Sequence, residues 1–368
     1  MNGDNINNNY EKKTVLVAPL DWGLGHATRC IPIIKELLKQ KATVLIAAEK
    51  QGLALLKKEF PQLAFLDLPG YRVKYSSQKK CFFLKMLLQY PAIQATIVKE
   101  RRWLKKVVIK YAIDLVISDN RFGLYHSTVP CIFITHQLQI QTGNNFLNLL
   151  AQKINYRYIE NFTGCWVPDI EKNAGIAGRL SHPAEFPKTP VTYIGTLSRF
   201  TKKDIEQKYK LLILLSGPEP QRSIFEKKLL HQLKGITVKT LLLKGLPNQQ
   251  DIPMAEGDYV TIHNHLSAND LNDAIVQSDV VIARSGYSTV MDLIALQKKA
   301  LLVPTPGQKE QEYLADYLSE KKWFGSISQD DFKLEIAISF SNKTFPPFIE
   351  NDGALAEAVK NILHKINF

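Results

Sequence analysis

Side chains suited to binding an anion and a sugar are concentrated between residues 279 and 311. The β-branched run at residues 280–283 stops at a small-residue turn, residues 285–288, which leads into an amphipathic segment. We expect a helix to begin at this turn, where free N–H groups and the helix dipole favour an anion such as a diphosphate. Asp292 follows one to two turns later, and its carboxylate can accept hydrogen bonds from sugar hydroxyls. The spacing predicts a nucleotide diphosphate site.

A second turn with reactive potential follows the first predicted strand. Gly23 and Gly25 allow the chain to turn tightly, and His26 stands at the start of the next predicted helix. The spacing is not that of a dinucleotide fingerprint, because Thr28 occupies the third glycine position. The same residues are also compatible with a plain glycine turn in which His26 is a capping or solvated side chain.

Three residues are candidates for a general base, namely His26, Asp119 and His136. Histidine suits proton transfer at neutral pH, whereas an aspartate needs burial or a partner to raise its pKa. Asp119 ends a predicted strand and could instead form an ion pair with Arg121. We rank His26 first because it combines the glycine turn with a helix amino terminus, which also disfavours imidazolium and leaves the ring neutral.

The length and composition favour a two-domain protein. A chain of 368 residues is too long for one ordinary core, and its apolar runs are too short to span a bilayer. Its start resembles no signal peptide, so we expect a cytoplasmic protein. Cys30, Cys81, Cys131 and Cys165 are widely spaced and are interpreted as reduced core thiols. The net charge of +12 indicates an anionic partner, but no nucleic-acid-binding motif accompanies it.

Strand-like and helix-like segments alternate through both halves of the chain, which predicts α/β architecture with two parallel-sheet, Rossmann-like domains facing each other across a cleft. We expect a disordered tail at residues 1–12 and an N-terminal domain at 13–168. A proline- and glycine-rich linker at 169–190 and a C-terminal domain at 191–345 follow, and residues 346–368 form a helix that packs back on the first domain. The predicted strands are 14–20, 43–48, 63–68, 114–118, 130–135, 165–168, 211–215, 237–243, 259–263, 280–283 and 300–303.

The order of these motifs resembles that of a two-Rossmann (GT-B) glycosyltransferase, closest to the MurG-like enzymes of family 28, which use UDP-sugars. The resemblance rests on Gly23-x-Gly25-His26, Thr135-His136-Gln137, Ser216-Gly217 and Arg284-Ser285-Gly286-x-x-Thr289-x-x-Asp292, with Glu310-Gln311 near the end. It departs from the family pattern at Asp292, usually Glu, and at Glu310, commonly His or Gln. These departures leave the ribose contact and the transferred sugar open.

The resemblance implies a site in two halves. The acceptor half comprises Gly23, Gly25, His136 and Gln137. The donor half holds the diphosphate on Ser285, Gly286 and neighbouring backbone groups, with donor hydroxyls on Asp292 and the donor sugar on Gln311. The remaining donor-site predictions are Ser216, Gly217, Arg222, His265, Leu266, Arg284, Ser288 and Thr289. Arg222 could form a bidentate contact with phosphate, or it could be a solvated arginine on a rigid surface loop.

The sequence therefore predicts an inverting, metal-independent glycosyltransferase that moves a sugar from a nucleotide-diphosphate donor to a hydroxyl acceptor. No Asp-x-Asp triplet lies in a suitable turn, so we expect neither a metal nor a cofactor. The alternatives are a nucleotide-sugar hydrolase or epimerase on the same fold, and a non-catalytic protein that binds polyanions or membrane surfaces.

Residues 78–106 bear on the acceptor. Apolar and aromatic residues there alternate with Lys and Arg, as in segments that lie on an anionic bilayer. Such a surface would make the protein peripheral at the inner face of the membrane and suits a lipid-linked or cell-envelope acceptor. In the other interpretation, Phe82, Phe83 and Leu87 pack into the first domain and the lysines face water.

Overall fold

The computed structural model describes residues 12–71, 82–142, 144–247, 249–340, 346 and 353–366. The expected tail, apart from Lys12, lies outside these residues, and so does the start of the 78–106 segment. The described chain folds around two seven-stranded sheets with helices on their faces. This arrangement confirms the predicted α/β class with two Rossmann-like sheets.

The first sheet is parallel throughout and has the strand order β3-β2-β1-β4-β5-β6-β7. The order reverses between β1 and β4, where Pro19 pairs with Asp119, and ligands bind open parallel sheets at such a reversal. The elements are β1 (Thr14–Pro19), α1 (Leu24–Lys39), β2 (Thr43–Ala48), α2 (Lys50–Glu59), β3 (Ala64–Asp67), α3 (Phe82–Tyr111), β4 (Leu115–Asp119), β5 (Cys131–Ile134), α4 (Asn145–Ile159), β6 (Gly164–Val167) and β7 (Val191–Tyr193).

The second sheet has the order β10-β11-β9-β8-β12-β13-β14 and reverses between β8 and β12. Only the edge strand β10 is antiparallel to its neighbour among the described pairings. The elements are β8 (Tyr209–Leu214), α5 (Gln221–Leu233), β9 (Thr240–Leu243), β10 (Met254–Glu256), β11 (Val260–His263), α6 (Ala268–Val276), β12 (Ser278–Ala283), α7 (Tyr287–Ala295), β13 (Lys299–Leu302), α8 (Lys309–Glu320), β14 (Gly325–Ser326), α9 (Leu334–Ser339) and α10 (Ala354–Lys365).

The crossing between the sheets comes later in the chain than predicted. β7 pairs with β6 and belongs to the first sheet, so placing residues 191–193 in the second domain was wrong. The chain passes to β8 through residues 194–208, not through 169–190. A three-residue strand is too short to show an alternating pattern, which is why the sequence missed it.

Helix α1 joins the first core to the neighbouring elements. Its apolar face is buried and packs against α2 and α7, and the Gln40 side chain donates to the Ala356 carbonyl of α10 at 2.9 Å. The carboxyl-terminal helix thus lies against the first domain. Cys30, Cys131 and Cys165 are free and buried, as the sequence indicated, and burial raises the pKa of Cys131 to about 12.

Candidate active site

The His26 side chain lies at the strand-order reversal of the first sheet. Gly23 adopts a φ of 85°, which lets the chain turn sharply from β1 into α1, and His26 falls in the first turn of that helix. Its Nδ1 lies 3.0 Å from Oδ2 of Asp119, at the end of β4. The His26 side chain is 17% exposed, whereas that of Asp119 is fully buried. Of the two, only His26 can be reached by a substrate.

Asp119 is held by Arg29, one turn after His26 on α1. Arg29 Nε donates to Asp119 Oδ2 at 2.8 Å, and Nη2 donates to Oδ1. Burial alone would raise the pKa of Asp119, but the Arg29 guanidinium and the His26 ring lower it to about 2. A buried carboxylate with so low a pKa cannot accept a substrate proton at neutral pH, so the structure opposes Asp119 as the base.

The predicted alternative partner of Asp119 was also wrong. Arg121 Nη1 donates to Glu100 Oε1 at 2.6 Å, and its Nε donates to the Pro19 carbonyl at 2.8 Å. Arg121 points back under β1 to α3, while Arg29 approaches Asp119 from α1. The ion-pair partner of Asp119 is therefore Arg29, which is distant in sequence, and not Arg121, which is near in sequence.

His26 is neutral in this environment. Burial is the largest influence and lowers its pKa, Arg29 lowers it further, and Asp119 opposes both only in part. A neutral imidazole with its Nδ1–H directed at a carboxylate keeps the Nε2 lone pair free to accept a proton.

His136 lies at the interface of the two domains. Its Nε2 is 2.7 Å from Glu310 Oε1 in α8, its Nδ1 is 3.3 Å from Arg29 Nη1, and its ring stacks on Tyr287 with centroids 4.1 Å apart. Both ring nitrogens are occupied, which opposes His136 as the base. The adjacent Gln137 is partly buried, and its carbonyl accepts from Asn155 Nδ2.

The amino terminus of α7 lies at the carboxyl end of β12, as predicted. Gly286 is its N-cap residue, and a Cβ built there would meet no atom within 4 Å. The hydroxyl groups nearby form hydrogen bonds within the protein. Ser285 Oγ donates to the Gln311 carbonyl at 2.7 Å, and Ser288 Oγ donates to the Gly25 carbonyl at 3.1 Å. Backbone N–H groups of residues 287–289 therefore remain the natural anion donors of this turn.

Asp292 faces the segment that joins the two sheets. Its Oδ1 accepts from Ser198 Oγ at 2.6 Å, and burial raises its pKa to about 7, opposed by Ser198 and Arg199. Arg199 Nε is buried without a hydrogen-bond partner, and its guanidinium lies 4.9 Å from the Phe200 ring. Ser198 and Arg199 were not predicted from the sequence because they lie in an irregular stretch far from Asp292, which Ser198 precedes by 94 residues.

Two arginines predicted to bind the donor have partners within the protein. Arg284 is 2% exposed and donates to the carbonyls of Val303, Pro304 and Gln221 and to Gln329 Oε1. Arg222 forms ion pairs with Glu219 and Glu226, three and four residues away. The burial of Arg222 contradicts the solvated alternative, and carboxylates at helical spacing occupy the guanidinium that the predicted phosphate contact would use.

The remaining predicted donor-site residues lie in loops and helices that follow strands of the second sheet. Ser216 and Gly217 follow β8 and are exposed, and Gly217 has a φ of 102°. Leu266 packs against the core, and the neighbouring His265 has a buried Nδ1 without a partner. Gln311 Oε1 accepts from the Thr305 N–H at 2.9 Å, which ties its amide to the loop after β13. Thr289 is partly exposed in the first turn of α7.

Within the described residues, no group of three His, Cys, Asp or Glu side chains is placed to hold a metal ion. No helix in that part of the chain is long and apolar enough to cross a membrane.

Known proteins resemble this chain in both sequence and fold. Residues 223–343 match the C-terminal domain of glycosyltransferase family 28. A UDP-N-acetylglucosamine--N-acetylmuramyl-(pentapeptide) pyrophosphoryl-undecaprenol N-acetylglucosamine transferase from Glaesserella parasuis is 23% identical, over 90% of this chain and 89% of that protein. MurG of Acinetobacter baumannii has a TM-score of 0.53 at 14% identity, covering 96% of this chain and 99% of that one.

A third similarity extends beyond MurG itself. The glycotransferase of kitacinnamycin superposes with a TM-score of 0.64 at 12% identity, over 97% of this chain and 95% of that one. With the two Rossmann-like sheets and the matched C-terminal domain, these similarities confirm the resemblance noted from the motifs: the chain is a glycosyltransferase of the GT-B fold, related to the MurG-like enzymes of family 28.

Proposed function

We propose that the protein transfers a sugar from a UDP-sugar to a hydroxyl acceptor with inversion at the anomeric carbon and without a metal ion. One observation carries the proposal: the His26–Asp119 pair of the first domain lies directly across from the amino terminus of α7, joined through the Gly25–Ser288 contact. A proton acceptor thus faces an anion-binding turn. This is the pairing that displacement of a diphosphate by a hydroxyl requires.

The donor occupies the second domain in this proposal. The N–H groups of residues 287–289 bind the diphosphate, and the Asp292 carboxylate accepts from the ribose hydroxyls. The base of the nucleotide lies beside His265 and Leu266, and the donor sugar lies towards Gln311. The relative's name supports a UDP-linked donor, since that protein is a UDP-N-acetylglucosamine transferase.

The reaction follows from the roles of single atoms. The acceptor oxygen attacks the anomeric carbon from the face opposite the diphosphate while its proton passes to His26 Nε2. Asp119 accepts the Nδ1–H of His26, fixing the base-competent tautomer and stabilising the imidazolium that forms. The diphosphate leaves with the electron pair of the broken C–O bond. The α7 amino terminus and the Arg199 guanidinium stabilise its charge, which a metal ion would otherwise neutralise.

The test is a donor screen on the purified protein, with and without alcohol acceptors and with EDTA. We expect a UDP-sugar to raise the melting temperature, and we expect acceptor-dependent UDP release that EDTA leaves unchanged and His26→Ala abolishes while the fold is retained. Proton NMR of the product should show the inverted anomer. Rapid sugar release without acceptor would instead indicate a hydrolase, and a new sugar epimer would indicate an epimerase.

A bilayer-bound acceptor is supported by the exposed surface of α4. Phe146 and Leu149 are 74% and 62% exposed, and Leu150 and Ile154 continue the same helical stripe, flanked by exposed Lys153 and Arg157. Gln94 of α3 donates to Tyr158 of α4, so the two helices form one surface. An apolar stripe with basic neighbours matches an anionic membrane surface.

The predicted 78–106 segment contributes to this surface only in part. In its second half, Ile97 and Leu104 are buried in the first domain while Arg101, Arg102, Lys105 and Lys106 are exposed. In that half the apolar residues therefore pack inwards while the basic residues face solvent. The side chains of Phe82, Phe83 and Leu87 lie outside the described residues. We propose that α4 supplies the apolar contact and that the basic face of α3 adds charge.

A further inference from the structure

The carboxylate of Glu310 crosses from the second domain into the surroundings of the proposed base. Glu310 lies in the first turn of α8, and its Oε1 is 2.7 Å from His136 Nε2 at the end of β5. His136 Nδ1 is in turn 3.3 Å from Arg29 Nη1, and Arg29 holds Asp119. A continuous chain of polar contacts thus runs from α8 to the partner of His26.

The protonation of His136 follows from the chemistry of its two neighbours. A guanidinium can only donate hydrogen bonds, so the His136 Nδ1 that faces Arg29 must carry a lone pair. The proton of a neutral His136 then resides on Nε2 and is donated to Glu310. A carboxylate can only accept, so Glu310 enforces this tautomer.

His26 Nδ1 has two competing neighbours. Arg29 Nη2 lies 2.9 Å away and can only donate, while Asp119 Oδ2 lies 3.0 Å away and can only accept. Bonding to Asp119 requires Nδ1–H and leaves the Nε2 lone pair for the acceptor's proton. Bonding to Arg29 moves the proton to Nε2 and removes that lone pair. The position of the Arg29 guanidinium therefore decides whether His26 can act as a base.

We propose that Glu310 is a positioning residue that makes His26 base-competent through His136 and Arg29. With Glu310 in place, the His136 Nδ1 lone pair binds Arg29 Nη1 and draws the guanidinium away from His26 Nδ1, which is left to Asp119. Without Glu310, His136 can adopt the other tautomer, which repels Arg29 towards His26. The base is complete only when the second domain is docked, so the donor is enclosed before a proton acceptor exists.

Four titratable or charged groups face Glu310 from the elements around it. They are His136 after β5, Arg29 and His26 of α1, and Tyr287 of α7. On its own helix, Lys309 is paired with Glu312 at 2.8 Å. Burial alone would raise the pKa of Glu310, but the hydrogen bond from His136 and the nearby Arg29 guanidinium lower it below its ordinary value, so the group is a carboxylate at neutral pH.

The test compares Glu310→Gln with Asp316→Asn, an exposed neutralisation on the same helix. An amide can accept or donate, so Gln preserves the size of the side chain but no longer dictates the His136 tautomer. We expect Glu310→Gln to lower kcat by at least about tenfold with the Kd for UDP unchanged. The acid limb of the kcat/KM profile should move to lower pH, because a negative charge near His26 is lost. Asp316→Asn should change none of these.

Two further measurements test whether Glu310 acts on His26 through His136 and Arg29. In a His136→Phe background, which keeps an aromatic ring on Tyr287, Glu310→Gln should have no additional effect on kcat. Imidazole nitrogen NMR should show His26 with its proton on Nδ1 in the parent protein and a growing Nε2–H population in Glu310→Gln.

The inference rests on the proposed function, but the two fail differently. Full turnover by His26→Ala would overturn the proposed function itself. If His26→Ala is inactive and Glu310→Gln is silent, or if Glu310→Gln weakens only donor binding, the positioning role alone is wrong. Additive losses from Glu310→Gln and His136→Phe would also overturn it.

Discussion

Ser288 Oγ donates a hydrogen bond to the main-chain carbonyl of Gly25 across the two domains at 3.1 Å. A Cβ built on Gly25 would lie 3.0 Å from the Ser288 Oγ atom. The glycine of the first turn therefore allows the two halves of the site to approach each other. Its role is close packing, since Gly25 is not among the glycines with positive φ.

Replacing Gly25 with Ala should push α7 away from α1. We expect kcat/KM to fall by about tenfold or more, because small misplacements of reacting groups are costly. Adding Ser288→Ala should recover part of the loss, since the remaining Ser288 Cβ lies at an ordinary 3.5 Å from the new methyl group. Steady-state kinetics of the single and double variants measure this. A double variant no better than Gly25→Ala would argue against the steric explanation.

Asp119→Asn should damage catalysis more than donor binding. The amide can donate to His26 Nδ1 and so stabilise the tautomer whose Nε2 is already protonated. We expect kcat to fall by at least about a hundredfold with little change in UDP affinity. The variant also leaves the buried Arg29 without its counter-charge, which we expect to cost about 3–5 kcal/mol of unfolding free energy. Circular dichroism should confirm that the assayed protein is folded, and near-normal turnover would remove Asp119 from the mechanism.

Asp292 should make stability fall as pH rises. Burial raises its folded-state pKa from 3.8 to about 7, so the native state binds a proton more tightly than the unfolded chain does. The resulting stabilisation is complete below about pH 4 and is lost as pH approaches 7, a difference of at most about 4 kcal/mol. Asp292→Asn should therefore raise the melting temperature at pH 8 but not at pH 4. Equal shifts at both pH values would contradict this account.

The same group should make donor binding depend on pH. Ribose hydroxyls donate to the ionised carboxylate, so calorimetry should show tighter UDP binding at pH 8 than at pH 6. Asp292→Asn should bind UDP more weakly and with less dependence on pH across this range. An unchanged dependence in the variant would assign it to another group.

Arg284→Met should destabilise the fold and spare the chemistry. Several carbonyl groups at the carboxyl end of the second sheet lose a buried donor, which should lower the free energy of unfolding by about 3 kcal/mol. Urea unfolding measures the change, and Arg179→Met provides an exposed arginine as the control. A large rise in the donor KM with unchanged stability would restore Arg284 to the donor site.

The α4 surface should be required for membrane binding and not for folding. Leu149→Ser with Leu150→Ser should reduce binding to phosphatidylglycerol vesicles by at least about tenfold and leave turnover of a water-soluble acceptor unchanged. Ile252→Ser, at a 61% exposed position in the second domain, is the control. Flotation assays report the bound fraction. Equal losses in both variants, or none, would separate this surface from the membrane.

Much of the fold could be predicted from the sequence because strands, turns and helix starts depend on residues close together in the chain. The alternation of apolar runs and amphipathic segments predicted most strands of both sheets, and the small-residue turn at Ser285 predicted where α7 begins. The weak points were short elements such as β7 and the edge strand β10, which carry too few residues for a periodic pattern. Of the candidate site, the sequence predicted His26 and Asp292 but not the partners that set their proton affinities.

The sequence by itself determined the strand-end turns, the glycine conformations and the types of side chain that could do chemistry, because these follow from neighbours within a few residues. Only the tertiary structure decided the pairings: Asp119 with Arg29, 90 residues away, and Glu310 with His136, 174 residues away. An ionisable group takes its proton affinity from the charges and the solvent around it in space. The sequence therefore ranked His26 first among the three candidates, but only the folded chain supplied the contacts that oppose Asp119 and His136.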